Sequence, residues 1–361
     1  MQANDKRLSD AKLYLQSLPM IDHSMATEED SFADVERYDI IIVVITMSRD
    51  KALADPDRRL KLNVGYLTQT VARLLKIVRD DRTASFQRKK LVVCSVDRQP
   101  QRFTEALELS NYVQVVSLYQ NNSSAKRQDG AGNVFEKEKN DYVYCLETAS
   151  RFASRYYLVS EDDVLLDERA VETLQFVMNY FRLFSAVDWL FVKLYYPEKW
   201  SGYSRSSQTV VEIGGYSVLG GCLYAAVVML IARHQKCSSN CRRVPLWFCF
   251  VIGAVFTASL CMSIGRQYVE SWRENFASTH QLVAAPGCCT PAILYPAYIV
   301  RDLCRHLRRV RSGENLGVDI AIDGFPHERG LRRYLIHPNV ATHIGFVSSL
   351  PRNSKSPEQF V

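Results

Sequence analysis

Apolar residues follow two rhythms along this chain: short unbroken runs, and stretches with one every third or fourth position. Ile40, Ile41, Ile42, Val43, Val44 and Ile45 form an uninterrupted β-branched run, the pattern of a strand buried on both faces. Helical spacing follows over 60–78, carried by Leu60, Leu62, Val64, Leu67, Val71, Leu74, Leu75 and Val78. Leu91, Val92, Val93, Cys94, Ser95 and Val96 predict a second buried strand ending at Asp97, and residues 113–116 a third. A helix over 137–151 leads into a strand over 156–160, and residues 189–194 predict a further strand. Strands alternating with helices predict an α/β fold, a mostly parallel sheet flanked by helices. Residues 1–35 are polar and mixed and read as a stem with one short helix over 8–18.

Two stretches break this rhythm. Residues 213–232 and 244–264, twenty and twenty-one positions, carry no charged side chain. As helices each reaches about 30 Å, the thickness of a hydrocarbon core. The linker 233–243 holds Arg233, Lys236, Arg242 and Arg243 and no acid, so the positive-inside bias places it in the cytosol. Both flanking halves of the α/β domain, 36–212 and 266–361, then lie in the lumen, divided by a transmembrane helical hairpin over 213–265. Gly214, Gly215, Gly220 and Gly221 suit close helix–helix contact. A third uncharged stretch, 281–300, holds Pro286, Gly287, Pro291 and Pro296 and reads as a folded loop. No signal peptide or anchor is visible before Asp39, so insertion is directed either by a segment upstream of this chain or by the hairpin itself.

Composition narrows the picture. The chain has 361 residues, 47% hydrophobic and 23% charged, enough for one large or two ordinary globular domains. A formal net charge of +6 is mild. The cluster Arg301, Arg305, Arg308, Arg309 and Arg311 reads as a solvated helix face, and no nucleic-acid partner is expected. The ten cysteines lack zinc-site spacing, since Cys237 and Cys241 have no second pair downstream. Asn121, Asn122, Ser123 and Ser124 contain two overlapping glycosylation sequons, which agree with a luminal placement.

The chemistry concentrates where the strand over 156–160 ends, at Glu161, Asp162 and Asp163. Adjacent carboxylates repel one another and are costly to desolvate without a neutralising cation. Ligands of α/β sheets bind at the carboxyl ends of the strands, where Thr46, Arg49 and Asp97 also fall. Asp163 is the candidate ligand for Mn²⁺ or Mg²⁺, with Glu161 and Asp162 beside it. An exposed acidic turn or helix cap is the alternative. Arg49 suits a phosphate or a carboxylate, and Lys193 either contacts a diphosphate or snorkels to solvent.

Residues 135–147, the Glu161-Asp162-Asp163 triplet, residues 192–198, Cys288-Cys289-Thr290-Pro291-Ala292 and residues 343–350 occur in an order that resembles the Golgi GPI N-acetylgalactosamine transferase family. The likeness covers about residues 40–350, and a hairpin interrupting the catalytic domain is itself a family feature. It implies a GT-A fold and an inverting transfer of N-acetylgalactosamine from UDP-N-acetylgalactosamine to a mannose of the GPI glycan. The implied partners are GPI-anchored proteins and the lipid bilayer, in a multi-pass Golgi membrane protein with a luminal catalytic domain. The implied donor-binding set is Met47, Arg49, Asp97, Glu161, Asp163, Thr290, Pro291, Ala292 and Asp319. Similarity to related GT-A enzymes makes His343 the second metal ligand, ahead of His337 and His327. Asp319 falls where the family places an acceptor-side acid, and would be the base that takes the mannose proton, or else a helix N-terminal aspartate. Glu161 and Asp162 complete the implied catalytic carboxylates.

Family analogy pairs Cys94 with Cys145. Cys288 and Cys289 form either a vicinal disulfide shaping the donor-sugar loop or two thiols. The chain departs from the family at Thr46-Met47-Ser48-Arg49, where relatives tend to carry an acid before the arginine, leaving backbone contacts at Met47. Two other functions fit the residues: an N-acetylglucosaminyltransferase acting on N-glycans, and a non-catalytic membrane scaffold that binds GPI-anchored cargo.

Overall fold

The structure is a computed structural model. It describes residues 2–21, 38–49, 64–80, 88–119, 133–184, 188–197, 207–234, 245–266, 268–269, 280–287, 289–311 and 317–345. The chain divides into two units, one combining Met1–Tyr196 with His280–Glu358 and the other drawn from Pro197–Thr279.

The first half of the larger unit supplies α1 (Gln2–Gln16), β1 (Tyr38–Thr46), α2 (Tyr66–Asp80), β2 (Lys89–Ser95), α3 (Thr104–Leu109) and β3 (Gln114–Ser117). It continues with α4 (Val134–Ser150), β4 (Ser154–Glu161), β5 (Val164–Leu166), α5 (Ala170–Phe184) and β6 (Trp189–Lys193). The β-branched run becomes β1, with parallel neighbours β2 and β4, and β3 pairs parallel to β2. Alternate residues of β1 feed opposite faces, as the pleat requires. Ile40, Ile42 and Val44 pack in one core with Leu67, Val71 and Leu74 of α2 and Leu174 and Val177 of α5. Ile41 and Val43 pack in the other with Val143 and Leu146 of α4.

The smaller unit holds α6 (Ser207–His234) and α7 (Leu246–Ile264), both long and apolar enough to cross a membrane. Leu219, Leu223, Leu230, Val255 and Phe256 are exposed along them, a pattern suited to a hydrocarbon surround. The two helices pack together through glycines. A Cβ on Gly253 would lie 2.6 Å from Tyr224 Cβ and 2.9 Å from the Gly220 carbonyl. Beside the start of α6 and the end of α7, Arg266 Nε donates to Glu212 Oε2 at 3.1 Å. Linker residues 235–244 and the sequons at Asn121–Ser124 lie outside the described residues.

After this pair, the chain returns to the larger unit with β7 (Gln281–Ala284), β8 (Ala292–Pro296), α8 (Ala297–Arg309), α9 (Val318–Arg329), β9 (Arg332–His337) and β10 (Ala341–His343). One eight-stranded sheet runs β3-β2-β1-β4-β8-β6-β9-β7, and β5 pairs antiparallel with β10 beside it. β8 lies antiparallel between β4 and β6. The sheet is thus mixed, with its four-stranded parallel half intact, and has the α/β character expected of a GT-A transferase.

Residues 281–300 are not a folded loop, as their prolines suggested, but two strands and the start of α8. Pro286 and Pro291 fall in the connection between the strands and Pro296 ends β8, so no proline sits inside a ladder. The basic cluster decorates α8. Ile299, Val300, Leu303 and Leu307 are buried while Arg301, Arg305, Arg308 and Arg309 are exposed, a solvated face.

Cys94 of β2 is bonded to Cys145 of α4, with a Cα–Cα distance of 5.7 Å and 51 residues of separation. Closing a loop of that length restricts the unfolded chain, and stabilises by on the order of 4 kcal/mol. A Cys94→Ala/Cys145→Ala variant is expected to melt at a lower temperature than the parent. Reductant is expected to lower the parent's midpoint towards that of the variant, as thermal melts with and without dithiothreitol would measure.

Candidate functional site

Backbone pairing, not local sequence, assembles the site. Glu161, the last residue of β4, donates its N–H to the Pro291 carbonyl at 2.8 Å, which fixes the loop before β8 at the strand's carboxyl end. Two residues later, the Asp163 carbonyl accepts the Ile344 N–H at 2.8 Å. The β5–β10 register then sets His343 opposite Val164. As a result the ligating atoms of Glu161, Asp163 and His343 all lie within 4.8 Å of one another, the last two side chains buried and the first half-buried. His343 Nε2 is 3.4 Å from Asp163 Oδ1, and its ring stacks on Tyr195 with centroids 6.0 Å apart. Gly345 packs against the Asp163 carboxylate so closely that a Cβ there would overlap it.

Asp162 faces inward instead. Its Oδ2 accepts from Thr46 Oγ1 at 2.7 Å, its carbonyl accepts from Thr70 Oγ1 at 2.8 Å, and its Oδ1 pairs with Arg49 Nη2. The same Nη2 lies 3.0 Å from Asp163 Oδ2. The Arg49 guanidinium rests over the Tyr66 ring, 4.7 Å from its centroid, a cation–π contact at the start of α2. Arg49 Nε and Nη1 are buried and have no partner among the described residues. Burial pushes the Asp162 carboxyl up to about 6, against the lowering effect of Arg49 and with the like charge of Asp163 adding to it.

The connection between β7 and β8 is held by further side-chain contacts. Lys193 Nζ, buried rather than snorkelling, donates to the Pro286 carbonyl at 3.1 Å. Gly287 packs against the Asp323 carboxylate, which pairs with Arg333. Cys289, at φ +69°, donates its N–H to Asp319 Oδ2 at 3.1 Å, and Thr290 Oγ1 donates to Glu161 Oε1 at 3.1 Å. Consecutive loop residues therefore tie Asp319, in the first turn of α9, and Glu161, at the end of β4, to one segment. Cys288 lies outside the described residues, and with it the vicinal bond to Cys289.

The other expected donor-site residues border the same edge. Asp97 laces two turns together, its Oδ2 accepting Ser48 N–H at 2.9 Å and its Oδ1 accepting Gln99 N–H at 2.6 Å. Met47 is half-buried against the core beneath, and Ala292 pairs with Ser160 in the ladder. His337, on β9, is not in the ligand cluster, and the side chain of His327 lies outside the described residues. Tyr66, Gly345 and Asp323 escape sequence reasoning because each matters only through a partner far along the chain.

Two carboxylates and an imidazole, converging from β4, the turn after it and β10, make a donor set suited to Mn²⁺ or Mg²⁺, so the residues fit such an ion. A mixed α/β sheet with that donor set at the carboxyl edge of its parallel half is of the kind that binds a ligand at its strand ends, and the family match makes the chain a glycosyltransferase. The chain belongs to the family described as GPI-N-acetylgalactosamine transferase PGAP4, whose model matches residues 40–342. Among solved structures it is similar to a CMP:2-keto-3-deoxy-manno-octonic acid synthetase complexed with CTP, at 8% identity and a TM-score of 0.34. That match covers 84% of this chain and 92% of the other, and a likeness so slight carries no functional weight.

The raised Asp162 carboxyl has a definite linkage sign. Its protonation favours the folded state, so its contribution is fully present below about pH 4 and lost as pH rises through about 6. Asp162→Asn stays neutral throughout. It is expected to flatten the change in stability between pH 5 and 7.5 by on the order of 1 kcal/mol, measured by melting both proteins at the two pH values.

Proposed function

We propose that this chain is a metal-dependent, inverting glycosyltransferase of the Golgi membrane. It transfers N-acetylgalactosamine from UDP-N-acetylgalactosamine to a mannose of the GPI glycan on GPI-anchored proteins. The observation that carries this reading is the convergence of Glu161, Asp163 and His343 within 4.8 Å, in a chain of this family. When bound by Asp163 and His343, with Glu161 beside them, Mn²⁺ or Mg²⁺ supplies neutralisation of the leaving diphosphate.

The chain's own residues do the rest. Arg49, Met47 and Asp97, at the carboxyl ends of β1 and β2, receive the uridine diphosphate, as strand ends of such sheets do. Thr290, Pro291 and Ala292 hold the donor sugar against Glu161. Asp162 acts from beneath, through Arg49. Asp319 accepts the proton of the attacking mannose hydroxyl with lone pairs that its bond from Cys289 N–H does not use. The new oxygen–carbon bond forms on one face of the anomeric carbon as the bond to the UDP oxygen breaks on the other, so configuration inverts.

The hairpin over 213–265 is the membrane anchor, with 233–243 cytosolic and the segments 36–212 and 266–361 together forming the luminal catalytic domain. The Cys94–Cys145 bond supports an oxidising compartment. An anchor within the catalytic chain confines enzyme and lipid-anchored acceptor to one surface, which raises their encounter frequency.

The test is UDP release by the purified full chain with a GPI-glycan acceptor. UDP-N-acetylgalactosamine is expected to outpace UDP-N-acetylglucosamine, and chelation to stop turnover until Mn²⁺ is restored. Asp163→Asn at equal protein level is expected to lose at least about 100-fold. Equal use of both donors, or turnover untouched by Asp163→Asn, would contradict the proposal. Asp319→Asn keeps an acceptor for the Cys289 N–H but removes the base. It is expected to lower kcat by about 10²- to 10⁴-fold with little change in donor KM, whereas unchanged kcat would leave Asp319 only a loop tether.

A further inference from the structure

Arg49 stands where a bound cation would contend with it. Its Nη2 contacts Asp162 Oδ1 and lies 3.0 Å from Asp163 Oδ2, and Asp163 belongs to the ion-ligand set. The charge of one carboxylate is thus shared in advance with a guanidinium, which lies over the Tyr66 ring, 4.7 Å from its centroid. An ion arriving alone meets a ligand already partly neutralised and a positive charge beside it. Arg49 also has unmet demand of its own. Its Nε and Nη1 are buried without a partner among the described residues, and its side chain is only 11% exposed. Buried donors left unbonded are costly, and guanidinium donors match phosphate oxygens closely.

Resting on the function proposed above, we infer that Arg49 is an internal counter-cation coupling the ion to the nucleotide. In the resting site it holds Asp162 and Asp163 together and weakens their grip on a free divalent ion. When a nucleoside diphosphate engages its open donors, it loosens its hold on Asp163 Oδ2, and the carboxylate presents its full charge to an ion held through Oδ1, the oxygen that faces His343 at 3.4 Å. Nucleotide and ion therefore bind cooperatively, each weakly alone. By reciprocity the same coupling acts in both directions.

Removing Arg49 leaves the ligands in place, which makes the idea testable. Asp163 is fixed by its close packing on Gly345 and by its carbonyl bond from Ile344 N–H at 2.8 Å, and Asp162 retains Thr46 at 2.7 Å. The experiment is a Mn²⁺ titration of the metal-stripped full chain, followed by electron paramagnetic resonance of free Mn²⁺, with and without UDP. For the parent, UDP is expected to raise Mn²⁺ affinity more than about tenfold. Arg49→Met is expected to bind Mn²⁺ about tenfold tighter than the parent without UDP, about 1.4 kcal/mol, with the UDP enhancement reduced by a similar factor. Arg49→Gln, neutral but able to hydrogen-bond both carboxylates, is expected to behave alike and serves if the methionine variant does not fold. Parental or weaker Mn²⁺ affinity in the neutral variants overturns the inference. Mn²⁺ binding that survives Asp163→Asn instead overturns the ion-site reading beneath it, so the two failures are distinct.

Discussion

The insertion of β8 between β4 and β6 is the constraint on which the rest of the site depends. Its antiparallel register, Tyr156 opposite Pro296 through Ser160 opposite Ala292, zips chain that follows the apolar helices into strands that precede them. Because β8 runs against β4, its entry loop must lie at the carboxyl end of β4, and Thr290 meets Glu161 there. The β5–β10 pairing does the same for His343. Both pairings are backbone ladders, and β8 is buried along its whole length, where every lost N–H or C=O partner is costly. Loop-closure entropy grows only slowly with loop length, so a long excursion between β6 and β7 burdens the fold little. A sheet can therefore be completed by chain from both sides of such an excursion in the sequence.

The same geometry explains how three adjacent acids are tolerated at a sheet edge. Each is given different company: Glu161 has Thr290, Asp162 has Thr46 and Arg49, and Asp163 has Arg49 and His343. Burial alone would drive such groups to hold protons, as Asp162 shows, and the guanidinium opposes that pressure. Tyr66 and Gly345 take part without touching any reacting group, one by carrying Arg49 and the other by leaving room for Asp163. Charge balance here is thus a property of packing as much as of ionisation.

Much of this was legible in the residues, for reasons that can be named. β1, β2, β4 and β6 are buried on both faces, so their apolar runs are unbroken and stand out. The acids stand out because they end such a run. The apolar helices are legible because length without charge has few other readings. What escaped depends on distance along the chain. The strands at Gln281–Ala284 and Ala292–Pro296 were hidden by prolines that mark their boundaries, not their interiors. β5 and β10 span three residues each, too short for any period. Asp319 was readable as a carboxylate near apolar residues, but its bond to Cys289 N–H, 30 positions away, was not. The Arg49–Tyr66 contact likewise arises only once α2 packs behind the edge of the sheet.

The central claim is that chain segments on either side of the apolar helices build one cation-holding pocket. Anomalous scattering at the manganese edge, from crystals of the full chain grown with Mn²⁺ and UDP, tests it most directly. A single strong peak is expected within bonding distance of both Asp163 and His343, with Glu161 beside it. A peak held by residues of one segment alone, with His343 uninvolved, would contradict it.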